Sequence, residues 1–169
     1  MIRITFLCVL LCVFTLTTSN AQDKKPASPK ETVKGKIGNT NVEIVYSRPS
    51  SRGRTMIGGN EKFGEVWRTG ANEATTIEFD KDVKIEGKDL AAGKYALFTI
   101  PNENEWTIIF NKEHKQWGAY KYKESDDALR VNVKAGKPAS FVETLTIAIE
   151  KDQVVIKWEN SSVAFKVKG

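Results

Sequence analysis

Four of the six arginines in the chain, Arg48, Arg52, Arg54 and Arg68, fall between Tyr46 and Glu73. Outside that stretch the basic residues are lysines, apart from Arg3 and Arg130, and Lys62 is the only lysine inside it. The two side chains do different chemistry. Lysine is a strongly hydrated point charge, whereas arginine is a rigid fork of donors that pairs with carboxylate or phosphate and stacks on aromatic rings. If these arginines converge, they suit an anionic ligand such as a carboxylate, a sulfate or an acidic sugar. The same residues also suit a second role, pinning a long connection to a sheet by pairing with Glu61, Glu65 and Glu73 and by stacking on Trp67. The sequence leaves both open.

The end of the stretch, Trp67-Arg68-Thr69-Gly70-Ala71-Asn72-Glu73, puts an aromatic, a cation, a hydroxyl, an amide and a carboxylate within one short segment. Polar groups beside an aromatic platform fit sugar or peptide recognition. They equally fit a buried turn in which Thr69 and Asn72 satisfy backbone groups and Trp67 fills a core. Further on, Gln116-Trp117-Gly118-Ala119-Tyr120-Lys121-Tyr122 supplies more aromatics. If extended, this segment places Trp117 on one face and Tyr120 on the other. It serves either as an aromatic platform or as an edge strand.

Catalytic chemistry has few candidates. His114 is the only histidine, so a histidine-rich zinc site is excluded. His114 and Glu73 are the available acid or base groups. There is no G-x-S-x-G elbow, no phosphate-binding glycine loop and no calcium-loop spacing among Asp80, Asp82, Asp89, Asp126 and Asp127. Nothing in the residues calls for a metal or a cofactor.

The elements that must hold these residues are strands. Period-two alternation runs through Thr32–Ile37, Val42–Tyr46, Ala74–Phe79, Val83–Ile85, Gly93–Ile100, Trp106–Phe110, Leu129–Val133, Phe141–Ile149, Val154–Trp158 and Val163–Val167. Gly38-Asn39 and Lys151-Asp152 mark hairpin turns. Phe63–Trp67 reads as a short strand within the arginine-rich connection, and Ser125–Ala128 as a helical turn capped by Ser or Asp. No sustained helical period is present. Short strands at this spacing predict an all-β fold, a mostly antiparallel sandwich or flattened barrel of about 8–10 strands with little helix.

The first 21 residues read as a secretory signal peptide, with Arg3, an apolar run from Ile4 to Leu16 and the small-x-small site Ser19-Asn20-Ala21. Cys12 lacks the small residues that precede a lipid-attachment cysteine. Gln22–Lys30 reads as a flexible linker, and residues 31–169 as one β domain. Removing 21 of 169 residues leaves 148 and removes both cysteines, Cys8 and Cys12, so no disulfide or thiol nucleophile is expected. Taking Arg3 from the 26 basic residues leaves 25 against 21 acidic, a net charge of +4. No basic block with interleaved aromatics accompanies it, which argues against a nucleic-acid partner. No transmembrane segment is expected after cleavage, and nothing in the residues sets an oligomeric state.

The segments Tyr46–Arg54, Gly64–Ile77, Ala92–Pro101, Glu105–Asn111 and Gln116–Tyr120 together resemble a family of exported bacterial proteins, domain-of-unknown-function family 2911. The phrase around Trp67 to Asn72 is the most specific part. The resemblance implies an exported single domain in the periplasm or outside the cell, and it carries no activity or catalytic residue to transfer.

Three functions follow as expectations. The first is a binding module for a small anionic or carbohydrate ligand held by Arg48, Arg52, Arg54, Trp67, Arg68, Thr69, Asn72, Trp117 and Tyr120. The second is a hydrolase acting on an envelope glycan or peptide through Glu73 or His114. The third is a structural envelope protein whose arginines serve only its own fold. They separate on structure. A binding module shows an open aromatic and cationic hollow, an enzyme an acid or base with perturbed pKa in a cleft, and a structural protein arginines already paired internally.

Overall fold

The computed structural model describes residues 27–169. The expected signal peptide and most of the expected linker lie outside the described residues. Eleven strands make up the described chain: β1 Lys30–Ile37, β2 Thr40–Ser47, β3 Thr76–Phe79, β4 Val83–Ile85, β5 Lys88–Leu90, β6 Gly93–Ile100, β7 Glu105–Asn111, β8 Asp127–Lys134, β9 Val142–Glu150, β10 Gln153–Glu159 and β11 Ser161–Lys168. They form two antiparallel sheets, β1-β2-β3-β6-β7-β8 and β5-β4-β11-β10-β9. The architecture is an all-β sandwich with no closed barrel.

Alternation in the sequence becomes alternation in burial. Val42, Ile44 and Tyr46 of β2, Ile77 and Phe79 of β3, and Trp106, Ile108 and Phe110 of β7 point inward. They meet Leu145 and Ile147 of β9, Val154, Ile156 and Trp158 of β10, and Val163, Phe165 and Val167 of β11. One polar group in this core bridges the two sheets. The Ile147 amide donates to the Tyr46 hydroxyl across the sandwich at 2.9 Å.

The hairpin turns at Gly38-Asn39 and Lys151-Asp152 are where alternation places them, since Ile37 pairs with Thr40 and Glu150 with Gln153. A further hairpin turns at Glu86-Gly87, both at positive φ of 48° and 81°, and sets β5 beside β4. β5 is three residues long, too short for alternation to announce it. Two local expectations are corrected. Phe63–Trp67 is not a strand. It contributes a single bridge, Trp67 to Thr99, because the intervening turns spend its backbone groups elsewhere. The helical turn is a 3-10 turn at Glu124–Asp126, preceded by Lys123 in an extended conformation with no side-chain cap.

The sheets are sewn together by the chain that leaves β2. Residues Pro49–Ser51 cross over and pair with β9. The Leu145 amide donates to the Pro49 carbonyl and the Ser51 amide to the Glu143 carbonyl, both at 2.9 Å. The arginine-rich connection therefore begins as a strap between sheets.

The outer face of the first sheet is half covered. Ala96 and Phe98 of β6 and Ile109 of β7 are buried there with Ala74. Val66, Ala119 and Tyr122 pack over them, next to Ile100 of β6. The covering segments are the connection to β3 and the excursion between β7 and β8, a flap over the sheet. The face of β1, β2 and β3 remains open beside it.

Candidate functional site

The four arginines do not converge. Arg48 is fixed at the seam of the sandwich, donating from Nη1 to Glu31 at 2.6 Å, from Nε to the Leu145 carbonyl at 3.0 Å and from Nη2 to Thr146 Oγ1 at 3.0 Å. Arg54 folds back on its own loop, donating to the carbonyls of Ser51 at 3.0 Å and Ser50 at 3.2 Å. Arg52 sits at φ 52°, and its Nη2 donates to the Ala27 carbonyl at 3.3 Å. Arg68 is half-buried, and its Nε is enclosed with no hydrogen-bond partner among the described residues. Its charge is felt by Glu61, whose carboxyl is pushed up from the ordinary value by burial and drawn back by the guanidinium. The loop is pinned, but not by the partners its sequence suggested. Glu65 pairs with Lys62 and Glu73 with Lys30, while Arg48 takes Glu31.

The strap has its own anchor. The Glu143 carboxylate accepts from Ser51 Oγ at 2.7 Å and from the Arg52 amide at 2.6 Å, and these two bonds hold its pKa below the ordinary 4.5. A depressed carboxylate pKa contributes stability above the unfolded value, and that contribution is lost as pH falls through the folded value. Acidification below the ordinary 4.5 is therefore expected to loosen the strap at Arg52, while its backbone bonds to β9 stay. The check is amide exchange at Arg52 across an acid series. Protection should fall with pH in the parent and be low throughout in Glu143→Ala.

Trp67 is not a ligand platform. It is 3 % exposed, stacked on Trp158 with centroids 5.6 Å apart and edge-on to Trp106 at 6.2 Å. Its indole N–H donates to the Gly70 carbonyl at 3.2 Å. Thr69 is fully buried and its hydroxyl lies 3.1 Å from that of Thr99. Gly70 is where the loop touches β2. A Cβ there would lie 2.9 Å from Thr75 Oγ1 and 3.1 Å from the Ser47 carbonyl oxygen, so only glycine lets the chain pass this close. The buried-turn role is the one these residues perform.

What the structure does bring together is Glu73, His114 and Trp117. Asn72, at φ 61°, accepts from the Gly118 amide at 3.0 Å, and the Ala74 amide donates to the Gln116 carbonyl at 2.9 Å. This two-bond ladder pairs Glu73 with Trp117. It lays the flap against the start of β3 and leaves the Trp117 side chain in solvent, 62 % exposed. Gln116-Trp117-Gly118 is thus a bridge and a turn rather than a strand, with Gly118 at φ 66°. Tyr120, 86 % exposed, borders a different hollow, lined by the flap's own residues.

Between flap and sheet lies a cleft of about 550 Å³. The range usual for small-molecule sites is about 300–1,000 Å³. Glu73, His114, Lys115 and Trp117 line one side, and Lys30 and Lys94 rise from the sheet. Ser47 and Thr76 add hydroxyls. Three lysines and one carboxylate line it among the described residues; Glu73 is paired with Lys30 at 3.7 Å and Lys94 with Glu78 at 3.3 Å, which leaves Lys115 without an ion pair there. Lys30, Lys94 and the hydroxyls were not singled out from sequence. The alternation of their strands put them on an outward face, but nothing in the sequence said which outward face the flap would border.

Among the described residues no group of three or more His, Cys, Asp or Glu side chains could hold a metal ion, and no helix is long and apolar enough to cross a membrane. The chain shows no match to a curated protein or to a solved structure. Residues 28–167, nearly all of the described sandwich including the strap, the flap and the cleft, match the family described as "Protein of unknown function (DUF2911)", and the chain belongs to that family.

Proposed function

We propose that the protein is an exported binding module and that the cleft beside Trp117 holds a small acidic saccharide. One observation carries this. Three of the four tryptophans, Trp67, Trp106 and Trp158, are 1–3 % exposed in the core, whereas Trp117 is 62 % exposed over a cleft rimmed by lysines. An indole held in water by a backbone ladder offers a flat face on which a sugar ring can stack, and the lysines match a carboxylate. The leader at residues 1–21 supports export.

Thermal unfolding with glucuronic acid tests the assignment. Ligand at about 100 times its dissociation constant adds ~2.7 kcal/mol to stability. Trp117→Ala should weaken glucuronate binding about thirtyfold, the ~2 kcal/mol scale of an aromatic anchor. The same change should alter unliganded stability by no more than about 0.5 kcal/mol, because the side chain is on the surface. If glucuronate stabilises the variant as well as the parent, the cleft is not its site.

Glu73 and His114 share the cleft, and this favours a second reading, acid–base hydrolysis of a glycan. Glycoside hydrolysis ordinarily needs two carboxyl groups across the scissile bond, and among the described residues Glu73 is the one carboxylate in the cleft lining. Binding is therefore the stronger reading. Turnover of a uronate glycoside by the parent, abolished in Glu73→Gln, would reverse that order.

A further inference from the structure

The open face does not end at the Trp117 cleft. Further along β1, β2 and β3 it continues into a second hollow of about 520 Å³, where Lys34, Asn41, Glu43, Glu78 and Asp80 stand. Strand register fixes how the two are related. Thr32, Val45, Thr76 and Ala96 form one row across four strands, and Lys34, Glu43, Glu78 and Lys94 form the next row on the same face. Such rows are about 7 Å apart. Val45 and Thr76 border the first hollow, Glu43 and Glu78 the second. Lys94 of the first reaches Glu78 of the second at 3.3 Å. The hollows abut along one groove.

The two ends differ in charge. Lys30, Lys94 and Lys115 face Glu73 at the Trp117 end, whereas Lys34 and Lys36 face Glu43, Glu78 and Asp80 at the other. The second end carries internal pairs, Lys34 with Glu43 at 2.6 Å and Asp80 with the amide and side chain of Asn41. Exposed pairs of this kind contribute little to the fold and leave donors and acceptors for a neutral partner. A peptide is a poorer occupant, because an extended peptide binds by adding a strand to a sheet edge. The floor of the groove is β2 and β3, whose backbones are spent in the ladder on both sides, and the free edge of β1 lies at its margin.

Resting on the saccharide reading of the Trp117 cleft, we propose that the groove takes an extended saccharide of at least two units. A uronate sits at Trp117, and an uncharged sugar unit lies over Lys34, Glu43 and Glu78. Calorimetric titration of the full chain tests this with three probes: glucuronic acid, the glucuronate–N-acetylglucosamine disaccharide and digalacturonate. The mixed disaccharide should bind about tenfold more tightly than glucuronic acid, the scale of one or two added hydrogen bonds. Digalacturonate should show no such gain, because its second carboxylate meets Glu43 and Glu78. Lys34→Ala should shrink the ratio of mixed-disaccharide to glucuronate affinity. Equal affinity for glucuronic acid and the mixed disaccharide, or an equal gain for digalacturonate, overturns the extended groove while leaving the Trp117 site standing. Loss of all glucuronate binding in the parent overturns both.

Discussion

Trp67→Ala is expected to cost about 3–5 kcal/mol of stability, the range for truncating a large aromatic in a core. The side chain lies at the centre of the sandwich, stacked on Trp158 of β10 and edge-on to Trp106 of β7. It comes from neither sheet. The connection between β2 and β3 delivers it, through the Trp67–Thr99 bridge, whose two bonds are 2.7 and 2.9 Å. The cavity left behind would open against two other indoles, which cannot collapse without dragging their strands. At about 0.05–0.15 kcal/mol per residue the whole domain has little stability to spare, so this variant should be marginal. Chemical denaturation followed by fluorescence measures it. A loss below about 1 kcal/mol would mean that the loop, and not the core, holds this tryptophan.

Glu159→Ala is the second large effect, about 2–4 kcal/mol, because it leaves two buried donors without their charged acceptor. Glu159 is 8 % exposed, and its carboxylate accepts from the Met56 amide at 3.0 and 3.1 Å and from the Ile57 amide at 3.0 Å. The residue stands at φ 51° at the very end of β10, just before the turn into β11, a conformation that costs any side chain and would suit glycine. A glutamate in that place is there for its carboxylate. It holds the middle of the arginine-rich connection, as Glu143 holds its start. Glu159→Gln retains one acceptor and should lose roughly half as much. Hydrogen exchange at Met56 and Ile57 separates the cause. Both amides should lose protection in the Ala variant, and protection retained at both would contradict the anchoring role.

Strands were legible because one face of each is buried. Leu145, Ile147 and Ile149 alternate with Thr144, Thr146 and Ala148, and the structure buries the first set more deeply. Period-two alternation carries no information about what crosses from one sheet to the other. The strap at Pro49–Ser51 and its carboxylate anchor at Glu143 join residues more than 90 positions apart, and neither segment signals the other. The arginines show the same limit. Their clustering in sequence is real, but Arg48 points to Glu31 and β9 while Arg54 curls onto its own loop, so nearness along the chain does not become nearness in space. Trp67 and Trp117 looked alike as aromatic candidates. Their fates diverge because Trp67 precedes a glycine turn that tucks it against Trp106 and Trp158, while Trp117 sits in a two-bond ladder that leaves its side chain in solvent. Glu73, His114 and Trp117 were each visible as candidates. Their shared cleft was not, because it depends on a flap folding back over the outer face of β6.

The burial contrast among the tryptophans supplies the most direct test of the binding assignment. Trp117 is the single indole open to solvent, so a neutral collisional quencher such as acrylamide reports on it almost alone. Quenching of the parent should fall when glucuronic acid saturates the site, as the sugar covers the exposed ring, and the quenchable component should be missing from Trp117→Ala with or without sugar. If glucuronic acid binds by calorimetry while quenching of the parent stays the same, the ligand sits away from Trp117 and the assignment of the cleft is wrong.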